Sequence, residues 1–296
     1  MSQSLSIVII THNEEHNLPR TLASVAELVK QTSGEIIVLD SGSTDRTIEV
    51  AKSLGAKIFL EEWKGYAAQK TSAIDKASRD WILSLDADEE VDPELAHQIK
   101  AVLDGDWLRI ADSKDSLGTV ERVMAIEEDV EKGKKPEVHG FWMARRNYFL
   151  GRWIRHGGFY PDHKLRLFRR GYGEFQPSPV HETVKVSGPT YKLRRGTLLH
   201  HAYPSLQSYI GHMNRYSSLG AEAATTEKRH GFSLWNIVVR PWATFIYNYF
   251  LRLGFLDGKE GLLLHLYHAV YVSWKYAKAW EFSESGHRRS GHRAIE

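Results

Sequence analysis

The first third of this sequence predicts an open α/β sheet with right-handed crossovers. Three observations carry that expectation. Short apolar runs recur at Leu5–Ile10, Glu35–Asp40, Ala56–Leu60 and Trp81–Leu85. Helical patterns separate them, at the spacing that joins parallel strands. Polar residues stand where three of the runs end, at Thr11, Asp40 and Asp86, and ligands of open α/β sheets bind beyond the carboxyl ends of the strands.

Each element has its own warrant. Leu5-Ser6-Ile7-Val8-Ile9-Ile10 is a β-branched run that reads as a buried parallel strand. Asn17 to Lys30 reads as a helix. Glu35 to Asp40 is a second strand ending in an acid. Ser41-Gly42-Ser43-Thr44-Asp45 is a turn with an N-cap, opening a helix over 45–54. Ala56 to Leu60 is a third strand, Gly65 to Ser78 a helix, and Trp81 to Leu85 a fourth strand. Residues 106–137 are charged and weakly apolar and read as an inserted surface segment. Residues 139–203 carry glycine, aromatics and arginines in β-like runs, and 205–229 look helical. Ser233 to Trp280 is rich in Trp, Tyr, Phe and Leu, and His287 to Glu296 is a polar basic tail.

Bulk properties narrow the function. The chain has 296 residues, 42% hydrophobic and 26% charged, which is ordinary for a globular protein. It has no cysteine, so disulfides, thiol nucleophiles and Cys-ligated zinc are excluded. A net charge of +2 is too small to imply nucleic acid. The N-terminus lacks a basic region and a long apolar run, so no signal peptide is expected, and synthesis in the cytoplasm without export is the default.

The stretch Ser84-Leu85-Asp86-Ala87-Asp88-Glu89-Glu90 places four carboxylates in five positions directly after a core strand. Neighbouring carboxylates repel and desolvate poorly. A divalent cation such as Mg²⁺ or Mn²⁺, with a diphosphate, removes that repulsion. The blander reading of this stretch is a turn cap followed by a solvated helix start near Asp92-Pro93-Glu94.

Three further motifs shift the balance: Ile10-Thr11-His12-Asn13-Glu14-Glu15, Val38-Leu39-Asp40-Ser41-Gly42-Ser43-Thr44-Asp45 and Gly65-Tyr66-Ala67-Ala68-Gln69-Lys70. With Leu85-Asp86-Ala87-Asp88 they resemble, over residues 4–100, the inverting GT-A glycosyltransferases of family 2. Trp153 to Asp162, Lys164 to Arg170, Val180-His181-Glu182 and Asn248 to Lys259 are similar to bacterial lipopolysaccharide-core β-1,4-glucosyltransferases of the WaaE/KdtX type. The charged 106–137 segment departs from that pattern.

The resemblance implies a GT-A fold, a Rossmann-like open, mostly parallel sheet with flanking helices, plus C-terminal amphipathic helices. It divides the chain into a nucleotide-sugar half (1–105), a charged insertion (106–137), an acceptor half (138–230), an aromatic helical segment at the membrane interface (231–282) and a polar tail (283–296). It assigns Thr11, Glu14, Asp40, Lys70 and Asp86 to a UDP-sugar and Asp88 to a divalent metal, Mg or Mn. Glu182 is the candidate catalytic base, because inversion by direct displacement needs one near the acceptor hydroxyl. Arg155, Arg166 and His181 are assigned to the acceptor, a phosphorylated or acidic lipid-linked oligosaccharide. Bland alternatives stand beside these roles: a helix cap for Asp40, an exposed helix lysine for Lys70, a solvated strand-end pair for His181 and Glu182. His200 and His201 could add a metal ligand or touch the acceptor, though such a pair is more often structural.

Gly261 to Trp274 is the longest uncharged run near the C-terminus, and a helix of fourteen residues spans only about 21 Å, too short for a bilayer core. Arg240, Arg252, Lys259, Lys275 and Lys278 among aromatics suit helices lying in the membrane interface, against a helical pair packed on the core. Peripheral association with the inner face of the cytoplasmic membrane is therefore expected. Rival readings are a transferase that loads sugar onto polyprenyl phosphate and a non-catalytic nucleotide-sugar-binding protein.

Overall fold

In the computed structural model, residues 3–106, 137–176, 183–227 and 232–292 are described. Most of the charged insertion (107–136), together with His181 and Glu182, lies outside the described residues. By contact density the chain forms two units. The first comprises 1–145, 162–178 and 182–200, and the second 146–161, 179–181 and 201–296.

The first unit is an α/β sheet, as the sequence predicts. β1 (Leu5–Thr11), β2 (Glu35–Asp40), β3 (Lys57–Leu60) and β4 (Trp81–Leu85) are parallel, in the order β3-β2-β1-β4. The side chains of β1 alternate as a strand requires. Leu5, Ile7 and Ile9 join one buried cluster, with Leu18, Leu22 and Val25 of α1 (Leu18–Gln31) and Leu95, Ile99 and Val102 of α4 (Pro93–Asp104). Val8 faces the other way, toward Ala73 and Ile74 of α3 (Tyr66–Asp75). A short α2 (Thr47–Ser53) connects β2 to β3. The interior strands are buried on both faces, which explains their near-continuous apolar runs.

Beyond β4 the sheet turns antiparallel. β8 (Asp162–Arg169) pairs with β4 and with β6 (Gly140–Phe149). β11 (Thr190–Tyr203) follows, and β5 (Glu89–Val91) closes the order β4-β8-β6-β11-β5. β5 is a strand where the blander sequence reading expects the start of a helix. Three residues suffice because His200 of β11 pairs with Glu89. Helix α4 starts at Pro93, two residues after β5 ends. Asp92 is its N-cap, accepting from the Leu95 N–H at 2.7 Å, and its other oxygen accepts from the Thr197 N–H at 2.9 Å. β9 (Gly173–Gln176) and β10 (Thr183–Val186) form a separate hairpin.

In the second unit β7 (Arg152–Trp153) pairs with the end of β6. Phe149, Ile154, Tyr209 and Leu264 form its core. The helical stretches that follow among the described residues are Leu206–Glu227, a run from Trp235 to Leu251 with π turns at both ends, a short 3-10 turn at Gly254–Asp257, and Gly258–His292. No helix among the described residues is long and apolar enough to cross a membrane.

Candidate functional site

The carboxyl ends of β1 and β2 are laced into one wall. Thr11 and Asp40 are register partners, and Thr11 Oγ1 donates to Asp40 Oδ2 at 2.8 Å. Asp40 is fully buried and also accepts from the Gly42 N–H (3.0 Å), the Ser43 N–H (2.8 Å) and the Ser43 hydroxyl. Four donors fill the lone-pair directions of a carboxylate. Asp40 thus shapes the 41–44 turn, and a nucleobase contact would have to displace one of these bonds. Next to it, the Glu14 N–H donates to Thr47 Oγ1 at 2.7 Å and the Thr44 N–H to Asn13 Oδ1 at 2.8 Å, which fixes the loop after β1 to the turn after β2 and to the start of α2.

The acidic stretch after β4 is a closed turn. The Glu89 N–H donates to the Asp86 carbonyl at 3.1 Å, and Glu89 Oε2 accepts from the Asp86 N–H at 3.1 Å. Thr21 of α1 holds the Ala87 carbonyl at 2.7 Å. The charges then divide. Lys70 Nζ lies 2.6 Å from Asp86 Oδ1, and the Arg166 guanidinium bonds both Asp86 Oδ2 and, at 2.7 Å, Glu89 Oε1. Arg145 bonds Glu89 Oε1 at 3.0 Å and Asp162 Oδ2 at 2.7 Å. Lys70 is 3% exposed, so it is not an exposed helix lysine. Burial works to raise the Asp86 carboxyl, but Arg166 and Lys70 outweigh it and hold it well below the usual range. Burial likewise opposes charge on Arg166, and Asp86 and Glu89 more than compensate, raising its pKa.

Asp88 sits differently. Among the described residues its ion-pair partner is His200, with Asp88 Oδ2 3.4 Å from Nε2, and no lysine or arginine is bonded to it. Burial raises its carboxyl and His200 lowers it, with a net downward shift. Glu14 faces the same turn. Burial pushes its carboxyl up, a bond from Asn17 Nδ2 at 2.9 Å opposes this, and Asp88, Asp45 and Asp86 add to the rise. The site thus holds a neutralised pair of acids, Asp86 and Glu89, beside acids with no strong cation, Asp88 and Glu14. Asp88 and His200 are the carboxylate and imidazole that a divalent cation could use here, with a nucleotide diphosphate supplying further oxygens. No group of three or more metal-binding side chains occurs among the described residues, so the protein alone offers an incomplete shell.

Of the residues singled out in the sequence, Thr11, Glu14, Asp40, Lys70, Asp86, Asp88 and Arg166 all belong to the first unit. Arg155 belongs to the second, where its guanidinium lies over Trp153. Of the His200–His201 pair, His200 turns to Asp88 while His201 stacks on Tyr148 at 5.0 Å. Sequence reasoning missed Arg145, and it gave Glu89 no role of its own within the acidic stretch. The signal for Arg145 was its place in a strand-like run beside a second arginine, which says nothing about its distant acid partners.

A model of the family "Glycosyl transferase family 2" matches residues 6–174, more than half of the chain. The chain belongs to glycosyl transferase family 2. Within that family it is 28% identical over 289 residues to the lipopolysaccharide core biosynthesis glycosyltransferase LpsC of Rhizobium meliloti, covering 94% of this chain and 92% of the relative. An uncharacterized glycosyltransferase of Rickettsia bellii is 42% identical over 102 residues, or 34% of this chain and 33% of the relative. Among solved structures, the mannosyltransferase PcManGT of Pyrobaculum calidifontis aligns over 94% of this chain and 87% of that one, at 15% identity and a TM-score of 0.49.

Proposed function

We propose that this family 2 glycosyltransferase is an inverting enzyme that moves a hexose from a UDP-sugar to a lipid-linked glycan. The resemblance points to glucose and to the lipopolysaccharide inner core. The observation that carries the donor side is the contrast between Asp86, clasped by Lys70 and Arg166, and Asp88, whose ion-pair partner among the described residues is His200. The full-length likeness to LpsC supports the acceptor class.

In this reading Asp88 and His200 would hold Mg²⁺ or Mn²⁺, which would supply positive charge to offset that of the departing diphosphate. Lys70 and Arg166 keep Asp86 ionised and aimed, so that its remaining lone pairs can receive the ribose hydroxyls. Arg166 Nε is buried without a hydrogen-bond partner among the described residues, and an incoming phosphate oxygen would satisfy it. The acceptor hydroxyl attacks the anomeric carbon as the bond to the UDP oxygen breaks, and the electron pair leaves with UDP. Glu182 is proposed to take the hydroxyl proton.

The membrane surface belongs to the same proposal. Trp235, Val238, Val239, Trp242, Ile246 and Phe250 recur at helical spacing and are all exposed. Between residues 232 and 266 every exposed charged residue is basic: Arg240, Arg252 and Lys259. That composition matches an anionic lipid interface and supports peripheral association with the inner face of the cytoplasmic membrane.

Incubation with a panel of UDP-, ADP- and GDP-sugars, with and without Mn²⁺, tests the donor reading through nucleotide release. UDP release that needs the metal is expected. Turnover of another nucleotide sugar alone, or of none, overturns it.

A further inference from the structure

Two guanidinium groups of the second unit share one indole. The Arg146 guanidinium carbon lies 4.5 Å from the Trp153 ring centroid, and that of Arg155 lies 4.7 Å from it. The two cations are therefore no farther apart than the sum of those distances. Among the described residues no carboxylate pairs with either. Arg145, the preceding residue in the chain, shows the ordinary solution, with Glu89 and Asp162 as partners. Two like charges held together without an acid repel each other, and the ring quadrupole offsets this only in part.

Two donors at this place are also idle. Arg146 Nε and Trp153 Nε1 are buried and have no hydrogen-bond partner among the described residues, which is uncommon for buried polar atoms. An anion meeting the cluster would satisfy both the charge and the donors.

The backbone that carries Arg155 is fixed. Asp257 is 1% exposed, and its Oδ2 accepts from the Arg155 N–H at 3.1 Å and the His156 N–H at 2.8 Å. The His156 ring adds a contact to Asp257 Oδ1 at 3.0 Å. Gly157 follows at φ 66°, and a Cβ there would meet the His265 ring at 2.0 Å, so only glycine fits. On the other side, Tyr160 packs edge-on against Trp153 at 5.1 Å.

We propose that Arg146, Trp153 and Arg155 form an anion subsite that receives the carboxylate or phosphate of an acidic sugar. Its role as an acceptor subsite rests on the glycosyltransferase reading above, whereas its ability to bind does not. Guanidinium forks match both oxyanions in bidentate geometry, and the indole N–H supplies a further donor.

The test uses the full-length protein labelled with ¹⁵N. The Trp153 indole resonance is assigned by its loss in Trp153→Phe. Glucose 6-phosphate, glucuronate and neutral glucose are titrated separately. The resonance should shift saturably with at least one acidic sugar and not with glucose, and the acid that binds identifies phosphate or carboxylate as the group read. Arg155→Ala, at an exposed side chain, should weaken that binding tenfold or more, and Arg155→Lys should recover only part of it. Arg146→Ala should act in the same direction if it folds; if it does not, Arg155→Ala decides. Absence of a shift with both acids, an equal shift with glucose, or unchanged affinity in Arg155→Ala overturns the subsite. UDP-glucose hydrolysis by the same protein separates the two readings. Hydrolysis without acid binding removes the subsite alone, and acid binding without turnover of any nucleotide sugar leaves the subsite and removes the transferase reading.

Discussion

Asp88 Oδ2 lies 3.4 Å from His200 Nε2, across the pairing of β5 with β11. Without that three-residue strand, the turn and the histidine would have no fixed relation. If this pair holds a divalent cation, Asp88→Asn and His200→Ala should each lower UDP-sugar turnover by about 10²-fold or more. Both should also weaken Mn²⁺ binding measured by calorimetry in the presence of UDP. Wild-type Mn²⁺ affinity in both variants would place the metal elsewhere.

A second prediction concerns stability and pH. Glu35 is buried, and its carboxylate accepts from Ser6 Oγ at 2.7 Å, from the Ser78 N–H at 2.8 Å and from Lys57 at 2.7 Å. Burial raises its pKa, but Lys57, Ser6 and Ser78 prevail and bring it from 4.5 to about 2. A carboxylate depressed in the folded state stabilises it fully above the unfolded pKa, and the contribution is lost as pH falls through the folded value. The window is therefore pH 4.5 down to about 2. Lys57 is 60% exposed, so its share is discounted for solvent, and the whole effect is about 2 kcal/mol. Urea midpoints of wild type and Glu35→Gln should differ at pH 6 and converge toward pH 2. A constant gap would show that the charge of Glu35 is not what stabilises the fold.

The base assignment rests on the sequence. Glu182→Gln keeps size and hydrogen bonding but cannot accept the acceptor proton. Turnover should fall roughly 10²-fold or more, while UDP affinity by calorimetry stays within error of wild type. Near wild-type transfer would move the base to another carboxylate.

The parallel half of the sheet was legible because its information is local. The near-continuous apolar run from Leu5 to Ile10 and an acid at the end of Glu35–Asp40 are readable within one element. The polar network was not, because its bonds span the chain. Glu89 and Arg145 are 56 residues apart, and Asp86 and Arg166 are 80 apart. No periodicity reports such pairings. Asp40 shows a third case. Its residue type was noticed, but the four donors that occupy it appear only when the turn is seen closed on Thr11. Lys70 goes the other way, since an amphipathic helix pattern alone could not say that its amine is buried against Asp86.

The last prediction concerns the exposed aromatic face between residues 232 and 266. Trp242 is 60% exposed, Trp235 66% and Phe250 51%, although large aromatics normally find cover. The bland explanation, a helical pair packed on a core, accounts for Leu264 and Ala269 but not for these side chains. Aromatic rings beside Arg240 and Arg252 suit the boundary between headgroups and acyl chains. Because the three rings are exposed, Trp235→Ser, Trp242→Ser and Phe250→Ser combined remove little packing, so the thermal midpoint should hold within a few degrees. Cosedimentation with phosphatidylglycerol vesicles should drop at least tenfold, and binding of the wild type should weaken as salt screens the arginines. A folded triple variant that sediments as wild type would take the membrane contact away from this face. Loss of binding with salt alone, and no loss in the triple variant, would assign the attraction to basic residues only.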